Sequence, residues 1–372
     1  MALENGGFVA ASPAAPAAPA MRATGPVPPV HDSRIRAYGH FLLALVYFFL
    51  AGALAHHAAM GLVNDAWQPL VRQAIFVFLL LLGYAGLGFT LNRQEHPISE
   101  QGLPRRRGWT REAAVGMATG WGAATLCVVV MALFGGIAVG LSFSLSSWGW
   151  LPVDIAFYIL LCLGEEIAFR GYAFQRFARS LGPTAAVFGF ALLYAFLESI
   201  LAGATRTTAL NGFVLAIVLS IAYLRTRALW VSWGLNFGWK VSRAILFGLA
   251  VNGDSTHSPV VQADPTGSFW LTGGGFGLES SWFAVFVLMA LIPVVYRLTR
   301  DLDFRYNAPV IIPGGLPVDL DAAARRQHET AMGSAEPAPA PLVQIIPVTS
   351  PPPAHPPETP PPGEPNSGNE TL

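Results

Sequence analysis

The sequence holds 372 residues, of which 53% are apolar and only 12% charged, with 22 Lys and Arg balanced by 22 Asp and Glu. Soluble domains carry about 25% charged residues, so this composition excludes an ordinary soluble enzyme, and zero net charge leaves no electrostatic footprint for nucleic acid. Several apolar runs approach or exceed the roughly 18 residues of a membrane-crossing helix, which predicts an all-α, multispanning membrane protein surrounded by membrane lipids.

Residues 1–33 are rich in Ala and Pro (ASPAAPAAPA, GPVPPV). No apolar region follows a basic start, so the segment reads as a disordered tail and not as a signal peptide. A transmembrane domain is expected over 34–305, with eight spans near 37–61, 70–92, 113–141, 151–176, 182–202, 208–224, 228–250 and 281–297. Residues 306–372 form a second tail, whose run PAPAPLVQIIPVTSPPPAHPPETPPPGEP is incompatible with a regular helix and suits extended, polyproline-like states. It reads as a tether, or as a ligand for a proline-recognition domain. No internal repeat is evident.

Loop charges orient these spans. With a cytoplasmic N-terminus, the inner loops hold Arg93, Arg105, Arg106, Arg107, Arg111, Arg176, Arg179, Arg225 and Arg227, and Arg297, Arg300 and Arg305 follow the last span. The outer loops hold only Arg206, with Arg72 just inside the outer end of the second span, and residues 251–280 contain no Lys or Arg. This asymmetry predicts a multi-pass protein of the cell membrane with both termini cytoplasmic.

The chain is organised around the apolar run Leu151 to Arg179, interrupted by Glu165, Glu166 and Arg170. A carboxylate in hydrocarbon is costly and marks a function or a paired structure. On a helix Glu166 and Arg170 stand at i, i+4 and can pair, while Glu165 lies about 100° round the axis. The two acids are therefore expected to serve different partners, with one held by Arg170 and the other facing the bundle interior. Lys240 is the only lysine in the chain. Asn236 is one helical turn before it and Arg243 three residues after it. Glu165 and Glu166 are the expected partners of both cations, which would place the seventh span beside the fourth. Tyr194 falls at a similar depth. Glu198, four residues further on, is expected to reach the outer interface, and Trp148, Trp150 and Trp270 read as interface anchors.

Cys127 and Cys162 lie in apolar runs and suggest neither a disulfide framework nor a metal site. His40, His56 and His57 have no acids at ligand spacing, and no GxSxG, HExxH or P-loop pattern occurs. No metal or cofactor is expected. Taken alone, the Glu166–Arg170 pair could be structural glue, Tyr194 a core aromatic, and Asn236 an interhelical hydrogen-bonding residue.

Four segments carry a resemblance. Glu165-Glu166-x3-Arg170, with Gly171 and Phe174 after it, is followed by Phe190-Ala-Leu-Leu-Tyr194. Then come Asn211-Gly-Phe-x9-Tyr223-Leu-Arg-Thr-Arg-Ala-Leu-Trp230 and Asn236-Phe-Gly-Trp-Lys240. In order and spacing, across about 150–250, they resemble the CAAX protease and bacteriocin-processing family. Its members are also described as Abi-type or type II CAAX prenyl endopeptidases and are intramembrane glutamic proteases. The resemblance implies that Glu165 activates water, with Glu166 and Arg170 in support. It places Tyr194 where the family has a histidine that assists the glutamate. It places Asn236 and Lys240 where the family has His-x3-Asn at the oxyanion. Tyrosine ionises near pH 10, so Tyr194 would donate a hydrogen bond and leave Glu165 as the sole base. Asn236 and Lys240 keep donors for an oxyanion, yet Lys240 could also clamp Glu165 and weaken it as a base.

The resemblance thus implies an endopeptidase acting on a membrane-associated peptide or protein substrate. Two other readings stand beside it: a family member that has lost catalysis and serves as a peptide-binding, scaffold or immunity protein, and a small-solute transporter. The absence of paired, broken half-repeats argues against the transporter. The sequence does not specify the oligomeric state.

Overall fold

The computed structural model describes residues 33–134, 136–254 and 260–302, all within the compact unit that runs to Ala308. The expected tails at 1–33 and 306–372 lie outside the described residues, except for Ser33. That residue caps the first helix, α1 (Arg34–Leu62), where its hydroxyl accepts from Arg36 N at 3.3 Å. α2 (Gln68–Asn92) starts with Pro69 in its first turn, where the missing N–H costs nothing, and ends at Arg93 in a left-handed conformation. The two form an antiparallel hairpin, pinned where Tyr47 donates to the Leu79 carbonyl at 2.7 Å.

After the short α3 (Pro97–Glu100) comes α4 (Trp109–Leu133), then strand β1 (Ile137–Leu141). The third span was expected to continue to 141. Instead, residues 137–141 pair antiparallel with β2 (Val261–Pro265), in the register Ile137↔Pro265 to Leu141↔Val261. The Val-, Ile- and Leu-bearing segment fits a strand as readily as a helix, and a distant partner decided between them.

α5 (Leu145–Arg170) begins six residues earlier than the fourth expected span and carries Pro152 inside its first turns. Its start is fixed by Ser144, which accepts from Ser147 N at 3.2 Å. The expected single helix to 176 is broken at Gly171, and α6 (Tyr172–Leu181) runs on from there. At Gly171 the Ile167 carbonyl occupies the space a Cβ would need. α7 (Pro183–Ser199) follows Gly182, whose φ of 96° turns the chain. α8 (Arg206–Thr226) opens on a capping box between Thr205 and Thr208.

α9 (Trp230–Val241) is a shorter α-helix than expected, and it passes into a π-helical turn at Ser242–Leu246. α10 (Phe269–Thr272) and two 3₁₀ turns, Gly274–Phe276 and Leu278–Ser280, lead into α11 (Trp282–Leu298). Every expected span therefore overlaps a helix, but among the described residues only α1, α2, α4 and α8 are long and apolar enough to cross a membrane by length and composition. Among the described residues the architecture is all-α apart from the two-stranded pairing.

The closest helix pair is α4 with α9. Gly116 and Gly120 of α4 lie against the backbone of Val231 and Leu235, and Gly234 and Gly238 of α9 lie against the backbone of Ala113 and Met117. Each helix thus presents two glycines one turn apart to the other's main chain, the small-residue packing that lets membrane helices approach. Asn236 and Lys240 lie about 200° round α9 from this seam, toward α5. Large apolar side chains such as Leu50, Phe78, Leu82, Phe196 and Phe286 are exposed on the outside of the bundle, an outward apolar face that suits lipid.

Candidate active site

The site forms where α5, α7 and α9 meet. Glu165 and Glu166 stand near the C-terminal end of α5, one to two turns before the Gly171 break. Glu165 is mostly buried, and both its oxygens are held: Lys240 Nζ donates to Oε1 at 2.5 Å and Asn236 Nδ2 donates to Oε2 at 2.8 Å. Glu166 is fully buried. Its Oε1 accepts from Arg170 Nη1 at 3.1 Å and from Asn236 Nδ2 at 3.3 Å. Arg170 also donates through Nη2 to the Ala216 carbonyl of α8 at 3.3 Å. Tyr194 lies edge-on to Phe169, with ring centroids 5.0 Å apart, and its Oη accepts from Lys240 Nζ at 3.5 Å.

Glu165, Glu166, Arg170, Tyr194, Asn236 and Lys240, drawn from three separated segments, are thus joined in one buried polar cluster. Of the expected pairings, Glu166 with Arg170 and Glu165 with Lys240 are present. Two expectations are corrected. The acids do share a partner, because Asn236 comes from a different helix and its amide sits between the two carboxylates. Arg243 does not join Glu165 or Glu166. It pairs with Glu279 at 2.6 Å, donates through Nε to the Trp239 carbonyl at 2.9 Å, and stacks on the Trp239 ring at 4.5 Å. The π turn that begins at Ser242 gives Arg243 a bearing that regular helical continuation does not.

Glu198 is likewise corrected. It is 9% exposed, and its Oε1 accepts from Asn252 Nδ2 at 3.2 Å instead of reaching the interface. Its sequence signal was the one-turn spacing from Tyr194, which puts both on one face. Asn252 and Glu279, which lie beyond the spans, gave no such signal. Trp148 and Trp270 are about half exposed, and Trp150 packs against Trp67 with centroids 5.2 Å apart. Among the described residues no group of three or more His, Cys, Asp and Glu side chains is placed to hold a metal.

Chemically, the cluster offers a carboxylate that is partly open to solvent, two donors from one face of α9, and a phenol. It is electrostatically matched, with Lys240 against Glu165 and Arg170 against Glu166. Such a buried constellation, spread over several helices of an apolar bundle, makes this cluster the candidate functional site. Residues 146–242 match the family model of the type II CAAX prenyl endopeptidase Rce1-like proteins. The likeness covers 97 of the 372 residues. No curated protein and no solved structure matches the chain. The Rce1-like domain covers all six residues of the cluster, from Glu165 on α5 to Lys240 on α9. The family is one of proteases, and with four membrane-length apolar helices the chain reads as a membrane protein carrying a protease-type domain.

Proposed function

We propose that this chain is an intramembrane endopeptidase of the CAAX-processing type, hydrolysing a peptide bond in a membrane-associated peptide or protein. The observation that carries this reading is the meeting of Glu165, Tyr194, Asn236 and Lys240 in one buried cluster within the Rce1-like domain. In the mechanism Glu165 takes a proton from water as the water oxygen attacks the scissile carbonyl. Asn236 Nδ2 and Lys240 Nζ then donate to the oxygen that becomes negative, and Tyr194 orients the water. When the C–N bond breaks, the proton passes from Glu165 to the leaving amine. Glu166 and Arg170 brace α5 and hold Asn236 in place. We further propose eight spans, with both termini cytoplasmic in a cell membrane and residues 306–372 as a cytoplasmic tether.

A second reading has its own support. Both Glu165 oxygens are already engaged, by a cation and an amide, which opposes their use as a base. The chain would then be a non-catalytic relative that binds membrane peptides as a scaffold or immunity protein. Peptide cleavage by the full chain in liposomes decides between the two. The protease reading expects Glu165→Ala to lower turnover by about 10²- to 10⁴-fold. Equal turnover by wild type and Glu165→Ala ends it. If the chain carrying Tyr194→His, Asn236→His and Lys240→Asn cleaves while the native chain does not, the non-catalytic reading stands.

A further inference from the structure

The turn Tyr223-Leu-Arg-Thr-Arg227 shares in the family resemblance, yet the hydrolytic mechanism makes no use of it. It borders an open pocket of about 380 Å³, set where α6 and α8 end and α7 begins. Gln175 and Arg179, one turn apart on α6, line it together with Tyr223 and Arg227. Phe174, Pro183 and Leu224 add apolar surface. Gln175 Nε2 donates to the Glu100 carbonyl at 2.7 Å and to Tyr223 Oη at 2.8 Å, which occupies both its protons. Tyr223 is 5% exposed, and its own O–H has no acceptor among the described residues. A phenol proton this deeply buried calls for an acceptor.

Charge says which acceptor. Arg179 is exposed and has no ion-pair partner among the described residues. Arg179 and Arg227 both lie within electrostatic reach of the Tyr223 oxygen. Glu100 is the one acid among the described lining residues, so positive charge is in excess. The first turn of α7 adds to it, with no side-chain cap at Gly182 and no acid. A water accepts the phenol proton but answers none of this charge, and at about 30 Å³ it fills little of the pocket. We propose that the pocket binds the phosphate of an anionic phospholipid, with Tyr223 and Arg179 donating to its oxygens. Free phosphate offers the same oxygens. The lipid is favoured by the apolar walls and by Leu181, two residues before Pro183 and 59% exposed, which suits an acyl chain. Helix ends of an apolar bundle are also where headgroups stand. The site is independent of the hydrolase reading, because it concerns occupancy and not turnover.

The test is thermal unfolding of the full chain in a neutral detergent, followed by tryptophan fluorescence. The probes are dioctanoyl phosphatidylglycerol, dioctanoyl phosphatidylcholine and inorganic phosphate at constant ionic strength. Wild type is expected to gain about 2–4 °C in Tm with phosphatidylglycerol, saturably, and less than half as much with either of the others. Arg179→Gln and Tyr223→Phe should each remove at least half of the gain, and either carries the test if the other yields no folded protein. Arg111→Gln, which removes an exposed arginine of α4 outside the pocket, should keep the gain in full. No gain with phosphatidylglycerol, or an equal gain with phosphatidylcholine, overturns the proposal. An equal gain with inorganic phosphate assigns the site to the free ion and overturns the lipid. A loss in Arg111→Gln as large as in Arg179→Gln shows diffuse surface attraction and overturns the site.

Discussion

Replacing Lys240 with Met tests the electrostatic account of the cluster. Lys240 is 2% exposed, and its Nζ lies 2.5 Å from Glu165 Oε1. Methionine keeps most of the aliphatic stem, so packing around position 240 changes little. What is lost is the counter-charge. Removing one partner of a buried pair costs about 3–5 kcal/mol, because the remaining charge is left uncompensated. Glu165 keeps its bond from Asn236 and is 17% exposed, which places the expected loss at the lower end, about 3 kcal/mol. For a chain of this size that is a fall in Tm on the order of 10 °C, measured by thermal unfolding in detergent. Adding Glu165→Gln to Lys240→Met removes the stranded charge and should recover at least about 1 kcal/mol of the loss. A Lys240→Met protein as stable as wild type refutes the reasoning. Strict additivity of the two substitutions refutes it as well.

Other variants probe the scaffold around that pair. Arg170→Met leaves Glu166 fully buried without its counter-charge and should cost about 3–5 kcal/mol, with most of it regained in the Glu166→Gln, Arg170→Met double variant; unfolding midpoints of the four proteins give the coupling. Gly120→Val or Gly234→Val places a branched side chain against the facing backbone and should cost at least about 3 kcal/mol, read as loss of monodisperse protein on gel filtration. Normal yield and Tm from either would contradict the close α4–α9 approach. Thr205→Ala removes the capping box of α8 and should lower stability by about 1 kcal/mol, a shift of a few degrees in Tm.

Local periodicity made part of the site legible in the sequence. The one-turn spacing of Glu166 and Arg170 gave their pair directly. The scarcity of charge in the apolar runs singled out Lys240 and pointed it to the acids. Arg243 was assigned to the wrong acid because a regular helix was assumed through Ser242, where the chain takes a π-helical turn instead. Its partner Glu279 sits in a 3₁₀ turn with no periodic signal. Sequence reasoning located α1, α2, α7, α8 and α11 to within a few residues at both ends. It failed where a non-local partner competed with helix, as at Ile137–Leu141, and where one glycine cut a long apolar run, as at Gly171. The spacing Gly116-x3-Gly120 and Gly234-x3-Gly238 was present in the sequence as a signal for close helix packing, and it was the neglected one.

The two glycine pairs carry a consequence for how this chain can vary. Main chain pressed on main chain gives α9 no room to rotate or slide, so its far side keeps a fixed bearing whatever side chains it displays. Exchanges at positions 236 and 240 therefore alter which atoms are offered to the carboxylates without shifting where they stand. Side chains on that side can change only together with the acids they serve, while the frame that aims them is anchored by residues that have no side chain to change.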